Sequence, residues 1–417
     1  QPADQVLCKN ATSSPIVFTG TMTGAIYNWA NSNTGIGLAA NGTGDIPSFT
    51  AINNTTQPIT ATITVTANAG GCASPVKIFT ITVNPAPQVT QPSDLTLCNG
   101  SQTQLIHFPS SVNGASISWT NDNTSIGLPA SGSGDIMPFT VNNNADTTAV
   151  ATITATATDN GCTGSPVSVT ISVKPSPEVD QPADQSVCNG ASTAIISFTS
   201  PVNGATFSWT NSNTSIGLAA SGSGDIAPFV TINAGNTTKT ATITVVAHAN
   251  GCDGPSKTFN INVNPSAGID QPANLALCNG ASSTAINFTG SVANTTYSWT
   301  NSNPAIGLAA SGIGNIPVFI ATNAGNTAAT ATITVSASSA SGCSAPVKTF
   351  TISVKPTPTV NRPGDQTVCK GFNVSAINFT GPVSGTVYSW TNSNTSIGLA
   401  AGGTGNIPSF VGVNNGT

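Results

Sequence analysis

Charged side chains are scarce in this sequence. Asp, Glu, Lys and Arg make up 6% of its 417 residues, against roughly 25% in ordinary soluble domains. The 14 acidic residues outnumber the 9 basic residues, and the isoelectric point is about 4.6. Without a basic surface to neutralise phosphates, nucleic acid is excluded as a predicted partner. Hydroxyl and amide groups must therefore keep the surface soluble.

Long apolar runs are also missing. No stretch approaches the roughly 18 consecutive apolar residues of a membrane helix, and no stretch has helical periodicity. The sequence opens on a repeat boundary without a signal-peptide pattern. We therefore expect no membrane span in this segment, and we expect any export signal or anchor to lie outside it.

The few tryptophans mark an internal repeat. They are Trp29, Trp119, Trp209, Trp299 and Trp390. Their spacing is 90 residues three times and then 91. An apolar or aromatic residue stands two positions before each indole, which places both side chains on one face of a β-strand. We expect that face, with all five indoles, to form the core of each unit.

Each repeat reads as a series of short strands separated by Gly, Asn and Pro. The stretch from Thr60 to Thr66 alternates strictly between threonine and an apolar residue, which is typical of a half-buried strand. Six or seven such strands in about 90 residues predict an all-β fold, a tandem array of immunoglobulin-like antiparallel β-sandwich domains. Proline-rich joints separate the units and should be semi-rigid. The predicted domains are 1–87, 88–177, 178–267, 268–358 and an incomplete unit at 359–417.

Nine cysteines follow the same period. Separations of 64 or 65 residues alternate with separations of 26, which suggests one intradomain disulfide per repeat. The predicted pairs are Cys8 with Cys72, Cys98 with Cys162, Cys188 with Cys252, and Cys278 with Cys343. Cys369 is left unpaired, because its expected partner would lie past the last residue. Structural disulfides persist in oxidising surroundings, so we expect an extracellular or cell-surface location.

The order of these motifs resembles a known family. A Cys, then [Tyr/Phe]-x-Trp-Thr-Asn-x-Asn, Gly-x-Gly-[Asp/Asn]-Ile, Ala-Thr-Ile-Thr-Val, Gly-Cys and Phe-x-Ile-x-Val-[Asn/Lys]-Pro is similar to the PKD-like, immunoglobulin-like modules repeated in large secreted surface proteins of Bacteroidota. The resemblance covers the whole chain and implies a β-sandwich in an extracellular stalk or adhesin, often exported by the type IX route. Ordinary PKD domains carry Trp-Asp-Phe-Gly-Asp-Gly where this chain has Trp209-Thr-Asn-Ser-Asn-Thr.

Catalytic chemistry is not indicated by the sequence. The two histidines, His107 and His248, occupy non-equivalent positions of different repeats, and no Gly-x-Ser-x-Gly elbow is present. We therefore predict no enzyme and no catalytic residue. Calcium is the one cofactor considered, because Asp45, Asp135 and Asp225 stand in glycine turns. Turn capping by Asx side chains explains them more simply, since the fourth repeat has Asn at this place. No metal site is assigned, and a calcium site that stiffens the joints is the alternative.

Three non-enzymatic functions remain open at this stage. The near identity of the repeats favours a structural stalk or filament whose partners are its own neighbouring repeats. The array could instead bind glycans or surfaces through many weak sites, or assemble with like chains into a fibre through its threonine-rich faces or by strand exchange. By resemblance to Bacteroidota O-glycan sites, Thr147 in Asp146-Thr-Thr148 is a glycosylation candidate.

Overall fold

The computed structural model describes residues 1–416, and its first four repeats share one architecture. Each repeat builds one β-sheet, and a second layer of extended segments covers the apolar face of that sheet. The strands of the first repeat are β1 Gln5–Cys8, β2 Ile26–Asn31, β3 Asn41–Thr43, β4 Ile59–Ala69, β5 Cys72–Ala73 and β6 Lys77–Asn84.

The sheet order in this repeat is β1-β6-β4-β2-β3, with the short β5 paired to β4. The second layer is held by isolated bridges, such as those that join Thr12 to Thr50 and Ile16 to Ile46. The apolar sides of the two layers meet, and their contact forms the hydrophobic core of the sandwich.

The next three repeats repeat this plan. The second repeat contains β7 Leu95–Cys98, β8 Ser116–Asn121, β9 Ser131–Ser133, β10 Ala149–Asp159, β11 Cys162–Thr163 and β12 Val167–Lys174. The third contains β13 Gln185–Cys188, β14 Thr206–Asn211, β15 Ser221–Ser223, β16 Lys239–Ala249, β17 Cys252–Asp253 and β18 Lys257–Asn264. The fourth contains β19 Leu275–Cys278, β20 Thr296–Asn301, β21 Ser311–Ile313, β22 Ala329–Ser338 and β23 Lys348–Lys355.

The last part of the chain, 359–416, forms two small two-stranded sheets. Its strands are β24 Asn373–Val374, β25 Ser389–Thr391, β26 Gly402–Thr404 and β27 Phe410–Val411. β24 pairs with β27, and β25 pairs with β26. Trp390 is half-buried here, whereas the tryptophans of the four larger sheets are 4 to 7% exposed.

A single turn of 3-10 helix follows each tryptophan strand. These turns span Thr34–Ile36, Thr124–Ile126, Thr214–Ile216, Pro304–Ile306 and Thr395–Ile397. In the first of them, the Asn33 side chain accepts a hydrogen bond from the Gly35 N–H, and Gly37 ends the turn with φ 92°. Ile36 is fully buried between these two caps. In the first three repeats, the Asn-x-x-Ile-Gly-Leu segment is therefore an N-capped turn that delivers one isoleucine to the core. The fourth turn buries Ile306 without a side-chain cap from Asn303, and Ile397 of the last turn is exposed.

The sandwich has one feature that the sequence analysis did not anticipate. In each of the first four repeats, the first strand pairs in parallel with the last strand instead of antiparallel. In the first repeat, Gln5 lies opposite Ile81 and Cys8 opposite Asn84. Both strands run in the same direction because the intervening chain returns to the end at which it started. We call the end where the last strand begins the entry end, and the end where it finishes the exit end.

The disulfide pairing predicted within each repeat is wrong. The bridges join Cys8 to Cys162, Cys98 to Cys252 and Cys188 to Cys343, each across 154 or 155 residues. Each one links a repeat to the next. Cys8 ends a strand at the exit end of its repeat, while Cys72 lies in the hairpin at the entry end. A strand as long as β6 spans about 25 Å, whereas bridged Cα atoms lie within about 7 Å of each other.

The Gly-x-Gly motif has two separate structural roles. The first glycine, Gly222 in the third repeat, lies against the Trp209 ring, and a methyl group there would overlap Cζ2 and Cε2 of the indole. The second, Gly224, has φ 68°, a left-handed conformation that L side chains rarely adopt. The same two roles recur at the equivalent glycines of the other repeats.

We expect Gly222→Ala to lower the free energy of unfolding of the third repeat by about 1–3 kcal/mol, because the added methyl overpacks a filled core. Ser223→Ala, at an exposed position of the same strand, is the matched control and should change stability by about 0.5 kcal/mol or less. Hydrogen exchange of peptides from β16 and β18, followed by mass spectrometry, measures both. Equal effects would contradict the assigned contact.

Candidate functional site

A disulfide bridge joins consecutive repeats at each of the first three junctions. The exit end of one repeat presents the end of its first strand and the start of the joint. The entry end of the next presents a hairpin with the second cysteine. At the first boundary, Cys8 and Cys162 are joined across these two ends with their Cα atoms 5.4 Å apart.

The exposure of the hairpin cysteines shows that the preceding repeat covers them. Cys162, Cys252 and Cys343 are 1 to 2% exposed. Within residues 1–416, Cys72 has no preceding repeat against it, and it is exposed. Burial of this position is therefore a property of the junction between two repeats.

Backbone contacts fix the hairpin against the joint. Gly164 lies so close to the Pro87 carbonyl that a Cβ atom would overlap it, and Gly254 meets Pro177 in the same way. At the third boundary, Ala267 occupies the place of this proline, and its N–H donates to the Cys343 carbonyl at 3.2 Å. Glycine at the hairpin thus admits a proline joint, whereas alanine in the joint supplies an extra hydrogen bond.

Polar contacts complete the second junction. The Lys174 Nζ donates to the Asn250 carbonyl at 2.7 Å, and the Ser176 hydroxyl donates to the Asp253 carbonyl at 3.3 Å. These carbonyls belong to the hairpin of the following repeat, where Asn250 has φ 55°. The hairpin turn therefore offers its carbonyls to the neighbour that docks on it.

The joints are packed and not loose. In the first joint Pro85, Pro87 and Val89 are buried, while Gln88 and Thr90 between and after them face solvent. The Thr90 N–H donates to the Pro109 carbonyl of the following repeat. The joint thus continues the alternation of a strand across the boundary.

The pairing across junctions can be checked by counting thiols. Among residues 1–416, Cys72, Cys278 and Cys369 are the free cysteines, and all three are exposed. We expect three thiols per chain to react with N-ethylmaleimide in denaturant without reductant, whereas pairing within repeats would leave one. Intact mass gives the number, and a digest should contain a peptide pair joined through Cys98 and Cys252.

The aspartates considered for calcium hold neighbouring strands together. The Asp45, Asp135 and Asp225 carboxylates each accept a hydrogen bond from the N–H of a phenylalanine in the second layer, at 2.8 to 2.9 Å. Asn315 accepts the equivalent bond, which explains why Asp and Asn interchange here. Within residues 1–416 no three His, Cys, Asp or Glu side chains gather into a group that could hold a metal ion.

Asp135 also faces a histidine. Its pKa is lowered, first by the hydrogen bond from the Phe108 N–H and then by the one shared with His107 Nδ1 at 2.7 Å. The folded state thus favours the carboxylate. The resulting stabilisation is present above the unfolded pKa near 3.8 and is lost as the pH falls through the lower folded value.

His248 lies in a hydrogen-bonded row that the sequence analysis missed. Its Nε2 is 2.7 Å from the Ser208 hydroxyl and its Nδ1 is 2.7 Å from the Asp253 carboxylate. This is the order of atoms in a Ser-His-Asp triad. Ser208, however, lies within β14, which is paired on both sides, and not on the sharp turn that exposes a nucleophile. The row is a cross-strand contact on an open face, where Asp253 is 76% exposed.

A buried asparagine near each exit end was also missed. Asn143 donates through Nδ2 to the carbonyls of Thr147 and Val173, at 2.8 and 2.7 Å, and accepts from the Ala145 N–H. Asn53, Asn233 and Asn323 do the same in their repeats. Each one ties a loop to the end of the last strand, where the joint begins. In an Asn-rich sequence, composition alone cannot single these residues out.

Removing this buried amide should loosen the exit end of a repeat. We expect Asn233→Ala to lower the free energy of unfolding of the third repeat by about 1–3 kcal/mol, because buried backbone groups lose their partners. The exposed Asn236 is the matched control, and Asn236→Ala should cost about 0.5 kcal/mol or less. Denaturant titration with hydrogen exchange resolved by repeat measures the difference.

Thr147 lies in an exposed loop of the second repeat. Its carbonyl accepts a hydrogen bond from the Asn143 side chain, while its own side chain faces solvent.

In the part of the chain that the structure describes, no helix has the length and apolar character needed to cross a membrane.

Similarity to known proteins is confined to solved structures. No protein-family model and no curated protein sequence matches the chain. Among solved structures, an I-band fragment of titin is similar at 12% identity and a TM-score of 0.37, covering 65% of this chain and 98% of the fragment. The human Desmocollin-1 ectodomain is similar at 11% identity and 0.27, covering 100% and 93%. Protocadherin Gamma B2 cadherin domains 3–6 give 15% and 0.30, covering 86% and 98%. All three TM-scores lie below 0.5, so these similarities assign the chain to no family.

Proposed function

We propose that this chain is the shaft of an extracellular surface protein, a non-enzymatic stalk or filament that holds other parts of an adhesin away from the cell. The observation that carries the proposal is the junction, because an inter-repeat bridge and a packed joint recur at three successive boundaries. A rod needs identical, stiff boundaries. The disulfides suit an oxidising environment outside the cytoplasm, and the resemblance to PKD-like modules of Bacteroidota surface proteins belongs to this proposal.

Small-angle scattering tests the shaft directly. At about 3.3 Å per strand residue, each repeat should span about 40 Å and four repeats about 160 Å. We expect the longest dimension of the oxidised chain to reach at least this value. A compact particle of half that length would contradict the proposal.

A multivalent glycan-binding array is a second candidate, because a shallow groove recurs beside the tryptophan strand. The groove at Trp209 has a volume of about 390 Å³ and the one at Trp299 about 270 Å³, and serines and threonines line both. Hydroxyl-lined grooves repeated at a fixed interval suit weak binding with avidity. A glycan array probed with the full chain separates the candidates, because a shaft should bind no glycan.

A further inference from the structure

We infer that two covalent paths run side by side through the array, each close to full extension in the folded protein. Covalent bonds, and not the stability of the sandwiches, therefore limit the length of the array. The inference rests on the proposed shaft for the origin of the pull. The connectivity that carries it is independent of that proposal.

The first covalent path uses every other bridge. From Cys162 at the entry end of the second repeat, the chain runs along β12, through a joint and along β13 to Cys188 at the exit end of the third repeat. The bridge to Cys343 then transfers it to the entry end of the fourth repeat, where β23 continues. A segment of 26 residues therefore crosses two whole repeats.

The second covalent path is offset from the first by one repeat. It runs from Cys72 along β6 and β7 to Cys98, crosses the bridge to Cys252 and continues along β18 and β19 to Cys278. In the second, third and fourth repeats, one strand of the sheet belongs to the first path and its parallel neighbour to the second. The two paths thus lie next to each other in the same sheets.

Both paths have little slack. The segments 72–98, 162–188, 252–278 and 343–369 contain no helix, turn or bend, and none of their residues has a positive φ. Strand and proline-rich extended backbone rise about 3.1–3.3 Å per residue, against a maximum of about 3.6 Å. Pulling the folded rod can therefore lengthen either path by roughly a tenth.

The remaining 64 or 65 residues of each repeat, which include the tryptophan strand, connect one path to the other and carry no load while both paths are intact. They fold the sandwich that keeps the two paths straight and paired. If a bridge on the shortest route between the two ends is lost, the pull passes through such a loop to the other path, and the array lengthens.

Single-molecule stretching of the full chain, held at its two ends, tests the inference. Unfolding of each of the first four repeats should release under about 1 nm in the oxidised chain and about 28 nm after reduction, whereas bridges within repeats would release about 5 nm each. Steps of about 5 or 28 nm in the oxidised chain would overturn the inference.

Two double variants supply the matched control. With the ends held, the shortest covalent route uses the bridges at Cys8 and Cys188 and bypasses the bridge at Cys98. We therefore expect the pair Cys188→Ser and Cys343→Ser to lengthen the fully stretched oxidised chain by roughly 45 nm, and the pair Cys98→Ser and Cys252→Ser to leave it unchanged. Equal lengthening by both pairs would overturn the inference. A compact particle in scattering would instead contradict the proposed shaft, but the lengths expected in stretching would not change.

Discussion

A single backbone cut in the joint between the second and third repeats is expected to leave the oxidised protein in one piece. With a site-specific protease sequence inserted between Gln181 and Pro182, cleavage separates the two parts of the backbone. The bridge from Cys98 to Cys252 still connects them. We therefore expect one full-size band on a denaturing gel without reductant, and two bands with reductant.

The matched control is the same insertion between Arg362 and Pro363. No bridge spans this point among residues 1–416, because Cys369 is free. Cleavage there should release residues 363–417 without reductant. If both cut proteins separate without reductant, the bridges lie within repeats, and the two covalent paths do not exist.

The bridges should make the array resistant to proteolysis. A chain of independent sandwiches is severed by one cut in any joint. Here every cut between Cys8 and Cys343 is bypassed by a bridge that spans it. No two cuts between Cys8 and Cys343 separate the two ends of the chain, and at least three are needed.

The sandwich was predictable from the sequence because its signals are local. Alternation in β4 places Ala61, Ile63 and Val65 on one face, and all three are buried in the core. The residue two positions before each tryptophan marks the same face. An alternation with a period of two residues can be recognised without reference to the rest of the fold. Strands and core residues could therefore be predicted from the sequence.

The disulfide pairing was not predictable because it depends on which end of the sandwich each cysteine occupies. The regular spacing of the cysteines suits pairing within a repeat and pairing to the next repeat equally well. The parallel pairing of β1 with β6 decides between them, since it places Cys8 and Cys72 at opposite ends. The sequences of two distant strands do not reveal whether the strands pair in parallel or antiparallel.

Glycine and asparagine positions were only partly readable. The glycine turns expected from the sequence account for the second glycine of each Gly-x-Gly motif, which has a positive φ. The first is dictated by the size of an indole that approaches from a strand paired with it. Asn143 likewise serves a loop and a strand end 30 residues away. Contacts of this kind arise from packing and have no local pattern.

Replacing the indole at the centre of one repeat should have the largest effect on stability of any single substitution considered. Trp209 is 7% exposed and packs with Ile216, Ile243 and Phe259 in the core of the third repeat. We expect Trp209→Ala to lower the free energy of unfolding of this repeat by about 3–5 kcal/mol, because it leaves a large cavity. Hydrogen exchange resolved by repeat should show the loss in β16 and β18.

The loss should come from packing alone. In the described part of the chain, the indole nitrogens of all five tryptophans are buried without a hydrogen-bond partner, so removal of the ring leaves no new unpaired group. Trp209→Phe, which keeps an aromatic ring against Gly222, should therefore recover most of the lost stability. Trp390→Ala is the matched control and should cost less, because Trp390 is half-buried in the small sheets of residues 359–416.

The bridges limit how far the rod extends when the third repeat of Trp209→Ala unfolds. Cys188 at the end of β13 and Cys252 in β17 remain bridged to the fourth and second repeats, so the released chain is the loop between the two paths. The longest dimension in scattering should stay that of the parent under oxidising conditions and increase after reduction. An oxidised variant that lengthens by tens of ångströms would show that the sandwich, and not the covalent strands, sets the length of the rod.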